Sequence, residues 1–134
     1  MALVLSNQGE QLALEAFLNK TAGQDLSLRL FQNNYTPVEA SIETDFTVAT
    51  FTGYSSVTLT GASWTVTPGA PTSASYAQQT FTSTAGAQNQ SIYGYYLIQT
   101  TSGKYVWGER FTDGPYVIVN NGDQIKVTPV ITAD

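Results

Sequence analysis

Ser91–Phe111 reads SIYGYYLIQTTSGKYVWGERF and holds four of the chain's eight tyrosines and one of its two tryptophans. Two apolar runs flank Thr101-Ser102-Gly103, whose glycine tolerates the positive φ of a tight turn, so the stretch predicts a β-hairpin. Strand alternation puts Tyr93, Tyr95 and Leu97 on one face of the first arm and Ile92, Tyr96 and Ile98 on the other. Neither face is polar, and such a strand needs cover on both sides. The second arm puts Tyr105, Trp107 and Glu109 on one face and Val106, Gly108 and Arg110 on the other. The hairpin is expected at the centre of a β-sandwich, with Tyr105 and Trp107 reaching a neighbour.

Outward from the hairpin, short extended segments alternate with turn signals. Leu26, Leu28 and Leu30 alternate with Ser27 and Arg29 and predict a half-buried strand that fades at Gln32-Asn33-Asn34. Phe46 to Tyr54 fits no single period and reads as a short strand or an irregular covering segment. Val57-Thr58-Leu59 and Ala62 to Thr67 read as strands, the second with Trp64 and Val66 inward. Pro68-Gly69-Ala70-Pro71 is a break, and extended structure resumes from Tyr76 to Thr84. Beyond the hairpin, Asp113-Gly114-Pro115 and Asn120-Asn121-Gly122-Asp123 are turns around a strand from Tyr116 to Val119. Ile125, Val127 and Ile131 define a closing strand, with Pro129 placing it at an edge. The sum is about eight short strands over residues 26–132, the pattern of an all-β sandwich or barrel in one domain over residues 1–134.

A single helix precedes the strands, expected over residues 6–20, with Asn7 and Glu10 at capping-box spacing and Gly23 beyond its end. Gln8, Gln11, Glu15 and Asn19 share a narrow polar side, while Leu12, Ala13, Leu14, Ala16, Phe17 and Leu18 cover most of the rest. That arc is wide for a surface helix. It fits either a helix tucked against the end of a sheet or one partly covered by another subunit.

Composition removes several function classes. The 134 residues include no cysteine and no histidine, and only 11% are charged, with a net charge of −5. Disulfides and thiolate chemistry are excluded, and the usual general base and favoured zinc ligand are missing. A chain of this length buries about two thirds of its unfolded surface and needs no cross-links. Lys20, Arg29, Lys104, Arg110 and Lys126 are scattered, which argues against nucleic-acid binding. Ala2-Leu3-Val4-Leu5 is too short for a signal peptide or membrane span, so synthesis in the cytoplasm is expected.

The remaining chemistry is sparse. Glu39, Glu43 and Asp45 lie near one another, and Glu109 sits beside Trp107 as a glycosidase acid could, although solvated loop charges and a strand-end polar group are the simpler readings. Asp113-Gly114 and Asn120–Asp123 carry oxygen ligands near glycine but lack EF-hand alternation, and such tetrads usually make turns. No catalytic residue, metal ligand or cofactor is expected. The aromatic residues fit either a core with an inter-subunit seam or a stacking platform for carbohydrate.

With NQGEQLALEAFLNK at the N-terminus, LSLRLFQNNYTP and FTVATFTGYSSVTLTGASWTV as polar strands, and the hairpin near the end, the chain resembles the decoration or cement proteins of tailed-phage capsids. That resemblance implies a jelly-roll-like antiparallel sandwich and a homotrimer that clamps the major capsid protein on the capsid surface of the virion. It implies neither an enzyme nor a membrane or nucleic-acid partner, and it transfers no functional residue. On the residues themselves, Leu12, Phe17, Tyr95, Tyr105 and Trp107 are the expected interface. The alternative function is a carbohydrate- or receptor-binding domain of a phage tail appendage.

Overall fold

The computed structural model describes residues 4–18, 20 and 23–133. Strand β1 (Val4–Leu5) leads into helix α1 (Asn7–Phe17), followed by β2 (Leu26–Phe31), β3 (Val57–Leu59), β4 (Thr65–Thr67), β5 (Thr72–Ser75) and β6 (Gln79–Thr82). The chain then forms β7 (Gln90–Ile92), β8 (Gly94–Gln99), β9 (Tyr105–Arg110), β10 (Tyr116–Ile118), β11 (Gln124–Val127) and β12 (Val130–Ala133). The architecture is all-β with one helix. A five-stranded antiparallel sheet, ordered β1-β9-β8-β2-β3, is accompanied by the pairs β7-β10 and β6-β11 and by a three-stranded sheet, β12-β5-β4.

The central hairpin is β8-β9, and β8 lies between β9 and β2, which makes it the middle strand of the large sheet. Leu28 and Leu30 stand opposite Leu97 and Tyr95. Together with Trp107 they form one face, which packs across the main core on Ile92, Phe81, Ile118, Ile125 and Val127 from the smaller pairs. The opposite face carries Phe31, Tyr96, Ile98 and Tyr105 and is closed by Phe46. Every residue of β8 is buried, as expected of a strand covered on both sides.

Two details of the hairpin differ from simple alternation. The register of β8 and β9 shifts after the Leu97–Trp107 pair, so that Ile98 stands opposite Tyr105 and Val106 is the extra residue of a β-bulge. Val106 and Trp107 consequently share the main core, while Tyr105 joins Phe46 behind the sheet. The expectation that Tyr105 and Trp107 share a face is thereby corrected. The second break is at Tyr93, where the chain leaves β7 in one sheet and enters β8 in another. Ile92 accordingly faces the main core and Tyr93 the rear cluster, the reverse of an unbroken strand.

Gly94 permits this crossing, since a side chain there would run into the Glu109 carbonyl and the Phe31 ring. The irregular segment after β2 is a cover. Phe46, Ala49 and Phe51 are buried, and Val48 bridges to Phe31 in antiparallel sense.

Helix α1 is shorter than the expected 6–20 and its N-cap is Ser6, not Asn7. The Ser6 hydroxyl accepts a hydrogen bond from the Gly9 amide at 2.9 Å and points at the carbonyls of Tyr105 and Val106, at 2.7 and 3.0 Å. Asn19, Thr21 and Ala22, part of the expected helix end, lie outside the described residues. The extended segments also divide more finely than expected. Thr72–Ser75 forms β5 directly after Pro71, and the closing strand splits at Pro129, whose missing amide ends pairing with β6 and lets β12 join β5.

Candidate functional site

The hairpin offers little surface. Tyr95, Leu97, Tyr105 and Trp107 are exposed by 4%, 0%, 0% and 3%, all covered by the chain's own residues. Tyr95, Tyr105 and Trp107 are therefore core residues, and their expected place in an interface is corrected. Their bulk fills two aromatic clusters instead: Phe46 stacks on Tyr96, with Tyr105 tilted beside it at 4.9 Å, and Trp107 meets Trp64 edge-on at 6.0 Å.

Burial sets the chemistry of these phenols. It pushes Tyr54 up to about 12 and raises Tyr95, Tyr96 and Tyr105 as well. Tyr95 also donates to the Glu109 carboxylate at 2.8 Å, so Glu109, considered above as an acid, is engaged by a core tyrosine.

The other acidic residues hold the chain in place. Glu43 pairs with Arg29 at 3.1 Å across the rear of the sheet. Asp45 accepts from the Ile42 amide at 2.9 Å and from the Tyr35 hydroxyl at 3.5 Å. Glu39 contributes its main-chain carbonyl and not its carboxylate, accepting from the Asn7 amide and tying this loop to the start of α1. Asp123 closes the Asn120–Asp123 turn by accepting from the amides of Val119 and Asn120 at 2.8 and 2.7 Å, and those bonds hold its carboxyl below the usual range. Asp113 accepts from the Tyr116 hydroxyl. Among the described residues no three His, Cys, Asp or Glu side chains gather as a metal site. No described helix is long and apolar enough to cross a membrane.

The exposed surface includes an apolar patch on the helix. Helix α1 leans on β9 through Gly9, whose missing side chain leaves room for the Val106 carbonyl, and through Gln8, whose side-chain oxygen accepts from the Tyr105 amide at 3.1 Å. Leu12 packs half-buried against the main core. This orientation turns the other side of the apolar arc to solvent, leaving Leu14 61%, Phe17 86% and Leu18 68% exposed. Of the five expected interface residues, only Phe17 stands fully at the surface.

A second feature is a groove of about 580 Å³ between β10 and β11, which follow each other in sequence yet splay apart. Tyr116, Val117, Asp123, Gln124 and Lys126 line it. Alternation and turn signals place these residues on strands and in a turn, but local pattern does not determine that the two arms pair with β7 and β6 and not with each other. The chain matches no protein-family model, no curated protein and no solved structure.

Proposed function

We propose that the protein is a non-enzymatic structural component of a phage virion, a decoration or cement protein that binds the major capsid protein and stabilises the capsid lattice as an oligomer. The observation that carries this reading is the outward apolar side of α1. Leu14, Phe17 and Leu18 make a contiguous exposed patch on a helix that the fold itself holds in place. Burying one such side chain fully is worth about 1.5–3 kcal/mol. Three of them give only moderate affinity per subunit, which is enough where linked subunits engage a repeating lattice together.

The supply of other chemistry is consistent with attachment. Histidine and cysteine are missing from the sequence, and the described carboxylates are largely committed to turns, a salt bridge or a core tyrosine. The test is co-sedimentation with capsids of the cognate major capsid protein that lack this chain. Wild-type protein is expected to pellet with the particles and to raise their resistance to heat. A strictly monomeric protein that stays in the supernatant contradicts the proposal.

A second reading rests on the groove. Tyr116 is 40% exposed there, its ring 5.1 Å from Phe111, and amide and charged groups stand nearby, an arrangement suited to a sugar ring. On this reading the chain is the carbohydrate- or receptor-binding domain of a tail appendage. Glycan binding that is lost in Tyr116→Ala, with folding intact and capsid binding absent, favours it over the first.

A further inference from the structure

The turn that joins β10 to β11 carries a reactive pair of residues. Asn121 is the only asparagine in the sequence that precedes a glycine, and both it and Gly122 are exposed. Attack by the next backbone nitrogen on an asparagine side-chain carbonyl closes a succinimide ring, and a glycine offers no Cβ to hinder the approach. Nothing holds the Asn121 side chain, which makes no hydrogen bond among the described residues. A Cβ built on Gly122 would meet nothing within 4 Å, so the surroundings are open as well.

The backbone nevertheless keeps the two reacting atoms apart. The Asp123 amide donates to the Asn120 carbonyl at 3.2 Å, Gly122 has a φ of +92°, and Asn121 is not among the residues of positive φ. That combination is a type II turn, whose first central residue has ψ near about +120°. Ring closure needs the Gly122 nitrogen eclipsed with the Asn121 Cβ, whereas this ψ sets them roughly 120° apart about the Cα–C bond. The turn is unreactive as folded.

Two sets of hydrogen bonds hold it in that form. The Gly122 amide donates to the carbonyl of buried Ser83 at 2.8 Å, and the Ser83 amide donates back to the Asp123 carbonyl at 2.8 Å, extending the β6-β11 ladder into the turn. The Asp123 carboxylate accepts from the amides of Val119 and Asn120 at 2.8 and 2.7 Å. Those bonds keep its carboxyl ionised at the neutral to alkaline pH where asparagine cyclises.

We propose that Asn121 is a deamidation site that the fold keeps latent, reacting only when the Asn120–Asp123 turn opens. In the open turn the Gly122 nitrogen bonds to the Asn121 Cγ. The bond from Cγ to the side-chain nitrogen breaks, and that nitrogen leaves as ammonia with the proton from the Gly122 amide. Water then opens the succinimide at the side-chain carbonyl to give aspartate, or at the backbone carbonyl to give isoaspartate. Either product adds a negative charge to a chain whose net charge is −5. Isoaspartate also carries the main chain through an extra carbon, which takes the Gly122 amide off the Ser83 carbonyl. The groove between β10 and β11, lined by Asp123, changes charge and shape at the turn.

Peptide mapping by mass spectrometry on the full chain, kept folded or in urea at the same mildly alkaline pH, tests the proposal. Cleavage after Arg110 and Lys126 isolates residues 111–126, whose only asparagines are Asn120 and Asn121. The readout is replacement of the Asn121 side-chain NH2 by OH, with isoaspartate separated by chromatography. In urea Asn121 is expected to react faster than any other asparagine. In the folded chain it should react at least about tenfold more slowly, because the rate then follows the population of the open turn. Asp123→Ala removes the carboxylate clamp and should raise the folded rate, relative to the same variant in urea, at least about threefold. Unchanged circular dichroism confirms that this variant is folded; should it not fold, the wild-type comparison alone decides. A folded wild-type rate within about threefold of the rate in urea, or a folded Asp123→Ala chain protected as fully as wild type, overturns the proposal.

Discussion

The ring of Phe46 stacks on that of Tyr96, centroids 4.4 Å apart and planes within 11°. Phe46 comes from the irregular segment after β2 and Tyr96 from the middle strand of the large sheet, so this contact closes the rear of the sheet. Phe46→Ala would open a cavity against Tyr96, Phe31 and Tyr105 and should cost about 3–5 kcal/mol of stability. Urea denaturation measures it. A loss below about 1 kcal/mol would mean that the segment is a loose flap and not part of the core.

Ser6 joins the helix to the bulge. Its hydroxyl serves the Gly9 amide on one side and the carbonyls of Tyr105 and Val106 on the other, with no exposure to solvent. Ser6→Ala removes the cap and leaves buried backbone groups short of a partner, at a cost of about 1–2 kcal/mol. Chemical denaturation gives the total. Hydrogen exchange should show the loss concentrated at the first turn of α1, and a loss spread evenly over the sheets contradicts this role.

The buried phenols predict an alkaline limit. Their ordinary value is 10.0, and the fold raises Tyr54 to about 12 and Tyr95, Tyr96 and Tyr105 in the same direction. Below the unfolded value both states keep the proton and this stabilisation is complete. As pH rises past it, the unfolded chain releases protons that the folded chain retains, and stability falls through the folded values. Near-ultraviolet titration should show Tyr76, lowered by hydrogen bonds with Thr60 and Ser63, ionising early. Tyr54, Tyr95, Tyr96 and Tyr105 should ionise only together with loss of tertiary circular dichroism, and their titration in the intact fold near pH 10 would contradict their burial.

Much of this fold was readable from local pattern. The hairpin, the need for cover on both faces of its first arm and the breaks at Gly and Pro all follow from alternation and turn chemistry. What alternation could not supply was the change of partner. Val106 enters as a bulge and sends Tyr105 behind the sheet, while the chain changes sheets at Tyr93. Both events depend on neighbours distant in sequence. The expectation that Tyr95, Tyr105 and Trp107 reach the surface failed for the same reason. A tyrosine or tryptophan fits a dry core and a half-wet seam equally well, and only the position of Phe46 and Trp64 decides for Tyr105 and Trp107. The helical wheel did register the surplus apolar surface at Phe17, but which side of α1 faces out depends on Gly9 and Gln8 meeting β9. Val66, read as inward, is 63% exposed on a three-stranded sheet none of whose strand residues is buried.

The helix patch separates stability from attachment. Phe17→Glu and Leu14→Glu alter side chains that are largely in water, so folding should change by no more than about 0.5 kcal/mol. Each should weaken retention on capsids at least about tenfold, because a carboxylate would be buried without a partner. Equal retention of both variants and wild type in co-sedimentation would remove α1 from the contact.

The most direct test of the account is hydrogen exchange on the free protein and on the same protein bound to capsids. Strands β8 and β9 are expected to be already the slowest-exchanging in the free chain and to gain nothing on binding, while new protection appears along α1. Protection that appears instead across Gly94–Gln99 and Tyr105–Arg110 only in the bound state would mean that the hairpin is completed by a partner, and would contradict it.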